Sequence, residues 1–272
     1  MIATTTYTRL TNAPVTHVLV QVSFSPVLDI GDSIAEVQNG LRSLGFAKLK
    51  VGQIQQLMLQ GGAPAKVETR PQWEFLNRDD SLSLVVSHDF VTLQTSRYEH
   101  FPAFSHVLRS VLDVLARTTE VSWLTRVGLR YINLVRLKGR EAYAEWLQRE
   151  LLAFPFDAIS AYLTGTPQFA TQSTAPTEFG TLLIRTYQLA SGQFVPPDLA
   201  GNSLRYVQKD SNESGAIALD IDHFAQLNTD FDAQAVVRTA DNLHRLLKIA
   251  FLAAITPYAI QNWGPEEIVN AG

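Results

Sequence analysis

The chain has 272 residues, 46% hydrophobic and 18% charged, an ordinary globular composition with apolar material for one large core or two small ones. Its net charge of −4 is spread evenly, with 10 basic against 11 acidic residues before Val121 and 12 against 15 from there on. Wholesale coating of nucleic acid is therefore disfavoured, while a local basic strip is compatible with the balance. The lack of cysteine removes disulfides, thiolate metal sites and a cysteine nucleophile together. The N-terminus has no basic region followed by an apolar run, and the most apolar later stretch, 246–260, holds Lys248 and Pro257 and is too short to span a bilayer. A cytoplasmic protein without membrane association is expected.

Residues 15–26 alternate Val18, Val20, Val22 and Phe24 against His17, Leu19, Gln21 and Ser23, a half-buried strand stopped by Pro26. Asp32 is placed to cap a helix whose Ile34, Val37, Leu41 and Leu44 share one face and which Gly45 closes. Residues 50–71 hold an apolar cluster broken by Gly61, Gly62 and Pro64 and give no clear element. Three short extended runs follow, 72–76, 81–87 and 90–98, joined by polar turns of hairpin length, which reads as an antiparallel meander. A helix over about 102–116 then offers Phe104, Leu108, Val111, Leu112 and Leu115 to a core.

The longest clean alternation, 123–138, opens a second round of the same order. Its odd positions Val127, Leu129, Tyr131, Val135 and Leu137 are apolar apart from Asn133. Its even positions carry Arg126, Arg130, Arg136 and Lys138 around Gly128, Ile132 and Leu134, giving one core face and one cationic-amphipathic face. A helix over 141–154, a long connection through Thr177, strands over 180–189, 203–209 and 216–221, and a closing helix over 232–255 complete the round. The expected fold is α+β, with two similar strand-helix-three-strand-helix halves, 1–120 and 121–272, forming a curved antiparallel sheet with helices on one face. This order resembles the TATA-box-binding-protein saddle, an analogy of elements that carries no function. Setting the two first strands side by side places Gln21 opposite Arg130 on the polar face.

That polar face is the first candidate site. Guanidiniums two or four positions apart on one strand can clamp phosphate or carboxylate, with Arg185 or Arg205 joining if their strands neighbour. Arginines so placed more often pair with carboxylates of adjacent strands, and that reading is favoured. Asp220, Asp222 and His223 form a D-x-D-H cluster able in principle to ligate a divalent metal, yet two strand carboxylates are not a coordination sphere. Residues 222–224 read rather as a strand end and cap. Trp73, Phe75, Tyr98, Tyr131 and Tyr187 read as core residues rather than base-stacking platforms. The histidines make no HExxH pair, and no P-loop, GxGxxG or GxSxG occurs, so no cofactor is implied.

Five stretches, VLVQVSFSPVL, LQTSRYEHFPAF, TRVGLRYINLV, ALDIDHF and LHRLLKIAFLAAITPYAIQNWG, follow one another between Val15 and Trp263. In wording and order they resemble an uncharacterised, sporadically distributed bacterial protein family of similar length with no assigned activity. The resemblance implies no chemistry. A sporadic distribution is common in mobile, defence or toxin–antitoxin gene neighbourhoods, and it implies a nuclease or toxin as the partner. The expected function is a non-catalytic interaction module binding a protein partner through Gln21, Arg126, Arg130, Arg136 and Lys138. Nucleic-acid or nucleotide binding on the open sheet, and a metal-assisted hydrolase at Asp220 and Asp222, are the alternatives. A second copy of the chain is a further partner to consider.

Overall fold

In the computed structural model, which describes residues 8–58, 66–137, 142–152, 154, 156–165, 168–207 and 216–267, the elements follow one another along the chain. They are β1 (Thr8–Leu10), β2 (Val15–Phe24), α1 (Ile34–Arg42), β3 (Phe46–Met58), β4 (Lys66–Asn77), β5 (Leu82–Val86), β6 (Phe90–Thr95) and α2 (Phe101–Thr118). Then come β7 (Trp123–Val135), α3 (Tyr143–Trp146), β8 (Ala170–Thr177), β9 (Gly180–Leu189), β10 (Ala216–Asp230), α4 (Ala233–Ala254), α5 (Pro257–Asn262) and β11 (Pro265–Glu267). Nine strands form one antiparallel sheet in the order β3-β4-β5-β6-β2-β7-β10-β9-β8, and β1 pairs with β11 in a separate ribbon. The two alternating strands read first in the sequence, β2 and β7, thus lie side by side at the sheet's centre.

Period-two alternation delivers one face of these strands to the helices. Val18, Val20 and Val22 of β2, Val127 and Leu129 of β7, and Leu219 and Ile221 of β10 are buried in one cluster with residues of α2 and α4. In α2 the contributors include Leu108, Val111, Leu112 and Leu115; in α4 they include Val236, Ala240, Leu243, Leu247, Ala250 and Ala254, spaced by fours and threes as a continuous seam requires. Each large side chain so buried contributes about 1.5–3 kcal/mol. Asp232 caps α4 by accepting from the Gln234 and Ala235 amides, and His100 Nδ1 caps α2 by accepting from Ala103 N. Gly45 turns the chain out of α1 at φ +90, a conformation an L side chain rarely adopts.

Several expectations are corrected. The unclear stretch after residue 50 belongs to β3, an edge strand whose weak pattern follows from exposure: Val51 is 69% exposed. It pairs with β4, which extends the predicted run at 72–76 back to Lys66, so four strands follow α1 rather than three. The predicted helix over 141–154 is reduced to α3 and a 3-10 turn at Arg149–Leu151. Its backbone groups are taken by the end of α4 instead: Leu147 bridges Ile255, Gln148 N donates to Ala254 O, and Thr256 N donates to Trp146 O. The helix cap expected at Asp32 sits at Ser33, after a 3-10 turn.

The strand expected over 203–209 does not form within its described part, and Lys209 lies outside the described residues. There the Leu204 amide donates to Asn202 Oδ1, Arg205 N to Asp80 O and Ser96 Oγ to Arg205 O, so backbone groups are satisfied without a ladder. The third strand of the second half is instead β8, inside the stretch read as connection. Asp222, His223 and Phe224 do not end a strand, because β10 runs on to Asp230 with a register shift between Gln226 and Thr229. The described part of the chain after β9, residues 190–207, crosses the sheet's second face. There Ile132, Leu134, Leu189, Ala216 and Ala218 form a small buried cluster under Phe194 and Leu199. Among the described residues no helix is long and apolar enough to cross a membrane.

Candidate functional site

Strand register assembles the site on the face turned away from α2 and α4. Glu74 on β4, Val85 on β5, Thr92 on β6, Gln21 on β2, Gly128 on β7 and Phe224 on β10 stand in one row. The adjacent row runs Ser83, Gln94, Leu19, Arg130 and Asp222. A hollow of about 390 Å³ lies over these rows, closed on one side by Asp198, Leu199 and Asn202 of the crossing segment.

At the β7–β10 end the charges answer one another. Arg130, 8% exposed, donates from Nε to Asp220 Oδ1 at 2.8 Å and from Nη2 to Asp220 Oδ2 at 2.7 Å. The same guanidinium donates from Nη1 and Nη2 to Asp198 at 2.6 and 3.3 Å. Asp220 is fully buried and also accepts from the Tyr187 hydroxyl, while Arg185 Nε lies 3.0 Å from its Oδ2 and Arg185 Nη2 3.7 Å from Asp222. Burial opposes the charge of Arg130, but the hydrogen bonds and charges of Asp220 and Asp198 outweigh it and hold the guanidinium above its ordinary value. Burial likewise raises Asp222, against the pull of Arg126, Arg130 and Arg185.

Arg126 lies along its own strand. Its guanidinium sits 4.5 Å from the Phe224 ring centroid and occupies the space where a Cβ on Gly128 would stand, within 2.7 Å of Nη1. From there Nη1 donates to Gln21 Oε1 at 3.2 Å, and Gln21 Nε2 donates to Thr92 Oγ1 at 3.3 Å. Burial lowers the Arg126 value, partly offset by Asp222. The hydrogen-bonded chain ends at Thr92, two strands short of Glu74, with Val85 between them. Glu74 is 9% exposed, and its Oε1 is buried with no hydrogen-bond partner.

Of the residues singled out from sequence, Gln21, Arg126 and Arg130 are brought together here, and Arg185 joins them. Arg136 stands apart, donating to Gln193 O at 3.1 Å and lying over Phe194, where it holds the crossing segment. Lys138 lies outside the described residues. Arg205 is exposed and enters only through its backbone. The D-x-D-H cluster is split by strand parity. Asp220 and Asp222 face the guanidiniums, whereas His223 faces α4, donating from Nδ1 to Leu243 O at 3.2 Å with Nε2 2.9 Å from Thr177 Oγ1. Among the described residues no group of three or more His, Asp or Glu side chains could hold a metal ion.

Tyr187, read as core, belongs to the charged network instead. Tyr131 has the helical-face parity expected; its hydroxyl is 2.9 Å from that of Tyr98 and 3.1 Å from His244 Nδ1, with Phe101 stacked on the imidazole at 4.1 Å. Burial raises Tyr98 to about 12 and lowers His244 to about 4. Two site residues escaped the sequence reading. Glu74 could have been found from its parity, opposite to Trp73 and Phe75; Asp198 sits in a 3-10 turn that no pattern tied to β7.

No family model, no curated protein and no solved structure matches the chain.

Proposed function

We propose that this chain is a non-catalytic interaction module whose second sheet face, around Gln21, Arg126 and Arg130, receives a protein partner. The observation that supports the reading best is the charge balance of that face: Arg126, Arg130 and Arg185 stand among Asp198, Asp220 and Asp222. The Arg130 guanidinium, bonded to Asp198 and Asp220 at 2.6–2.8 Å, is already neutralised, so it offers a fixed polar relief rather than a phosphate clamp that releases counterions. Asp198 and Asp220 are engaged as well, so these two do not make an open acid or metal-ligand pair for hydrolysis.

The proposal extends to organisation and context. We read the chain as two similar halves, 1–120 and 121–272, in a saddle-like order; in its favour, each half adds its last strand, β6 or β10, beside its first, β2 or β7, and follows it with a helix. The resemblance to a sporadically distributed bacterial family favours a partner encoded nearby, such as a nuclease or toxin.

The test is to isolate the tagged chain at moderate salt with a nuclease-treated duplicate, identify co-purifying protein by mass spectrometry, and measure binding of the purified pair. A stoichiometric protein that survives nuclease and binds the Arg126→Glu variant at least about tenfold more weakly is expected. Nucleic acid alone, a solitary chain, or a partner indifferent to Arg126→Glu overturns the reading.

A further inference from the structure

Within the hollow, two ends differ in chemistry. At the β7 end every carboxylate has a guanidinium beside it. At the β4 end Glu74 has no guanidinium bonded to Oε1, which is buried and unpartnered; of its two row neighbours, Val85 on β5 can donate nothing and Lys50 on β3 has an exposed side chain that leaves Oε1 unbonded. The arginine cluster of β7 is four strands away, roughly 19 Å at about 4.8 Å per strand, and Arg70, four residues back along β4, lies 3.3 Å from His88 Nδ1. A buried carboxylate oxygen without a donor is costly and rare, and such a group inside a concavity marks a place where a donor arrives from outside. Around it stand an apolar wall of Leu19, Val85 and Leu199 and the hydroxyl and amide groups of Thr92 and Gln94.

We propose that the Glu74 end of the hollow seats a basic side chain, arginine or lysine, presented by the protein partner. The inference rests on the sheet face being the partner surface. Such a side chain has the two parts the hollow complements. Its aliphatic stem lies along Leu19, Val85 and Leu199, and its charged head donates to Glu74. The balanced cluster at β7 fixes the other end of the partner segment by polar contact, so that Glu74 supplies the open carboxylate oxygen and sets the sign of what is accepted.

The test uses the full ¹⁵N-labelled chain and its Glu74→Gln variant, an isosteric change that removes the charge alone. Each is titrated by NMR with acetyl-Gly-Arg-Gly-amide, its lysine counterpart and its norleucine counterpart. Saturable shifts at the Glu74, Val85 and Leu199 amides are expected with the two basic peptides and not with norleucine, and affinity for the basic peptides falls about tenfold or more in Glu74→Gln. Equal responses in the two proteins, or no shift at those residues, overturn the proposal. Spermidine binding there more tightly than either peptide overturns the partner assignment in favour of a free amine ligand. A purified partner weakened by Arg126→Glu but untouched by Glu74→Gln overturns this inference and leaves the partner surface standing. Basic peptides seated at Glu74 in a chain that retains no partner sustain the seat and overturn the partner surface.

Discussion

Replacing Asp220 by Asn leaves the shape of the network and removes its central charge. Asp220 is fully buried, accepts two hydrogen bonds from Arg130 at 2.7 and 2.8 Å and one from Tyr187, and has Arg185 Nε at 3.0 Å. Removing one member of a buried pair strands the other and costs about 3–5 kcal/mol. The same guanidinium carries a built-in control, because its second partner, Asp198, has a side chain 57% exposed and belongs to the class of pairs worth about 0–1 kcal/mol. Against a typical total stability of about 5–15 kcal/mol, Asp220→Asn should remove a large fraction and Asp198→Asn almost none. Urea unfolding followed by far-UV circular dichroism measures both, with the m-value checked for constancy. Arg130→Met combined with Asp220→Leu should lose less than the two single changes summed, since neither charge is then stranded. Asp220→Asn and Asp198→Asn falling within about 1 kcal/mol of each other would refute the assignment of Asp220 as the dry anchor of the face.

Three further outcomes follow from particular residues. Burial holds His17 at about 3 and His244 at about 4, both below the ordinary 6.5, so the unfolded chain binds protons at these sites before the folded one does. Stability is therefore complete above pH 6.5 and declines as pH falls toward 4, by about 2 kcal/mol per histidine at pH 5; a urea midpoint equal at pH 7.5 and 5.0 would contradict this, and His244→Phe should roughly halve the decline. Gly180 has φ +142 and a Cβ there would stand 2.0 Å from Phe224 O, whereas Gly192 at φ +80 has nothing within 4 Å. Gly180→Ala should cost about 3 kcal/mol or more and Gly192→Ala about 1 kcal/mol, read from thermal or urea midpoints. Glu74→Gln should stabilise the isolated chain by about 1–2 kcal/mol, because an unpartnered buried charge becomes a neutral amide; a destabilised variant would mean that Glu74 serves the fold.

Much of the architecture was readable because its determinants are local. The alternation of β2 and β7 set both the face that carries Arg126 and Arg130 and the face that buries Val127 and Leu129, and the three–four spacing of α4 set its seam. Elements fixed by distant partners were not readable. The helical pattern continues past Trp146, but there the backbone is claimed by the end of α4. The run at 203–207 alternates as a strand does, but side chains and turns satisfy it. The site shows the same division. The arginine strip and Gln21 were visible by parity, and pairing with carboxylates of adjacent strands was the favoured expectation for the whole strip; Arg130 meets it, whereas Arg126 bonds Gln21 and Arg136 the Gln193 carbonyl. That Asp198 would reach Arg130 across the face, or that a carboxylate would be left without a donor at Glu74, depends on a crossing segment and a four-strand separation that no window of sequence contains.

The adjacency of β2 and β7 also sets an order of events during synthesis. β7 finds its first neighbour already made, but its other edge pairs with β10, which is complete only at Asp230. At the usual elongation rate of about 5–20 residues per second, the stretch from Val135 to Asp230 takes on the order of 5–20 s. Throughout that interval the nascent chain presents the unpaired edge of an apolar strand, and α4, which shields Tyr131 and Leu129, has yet to leave the ribosome. The chain's period of greatest vulnerability to misassembly is thus built into its strand order, and slowing translation between β7 and β10 would lengthen it.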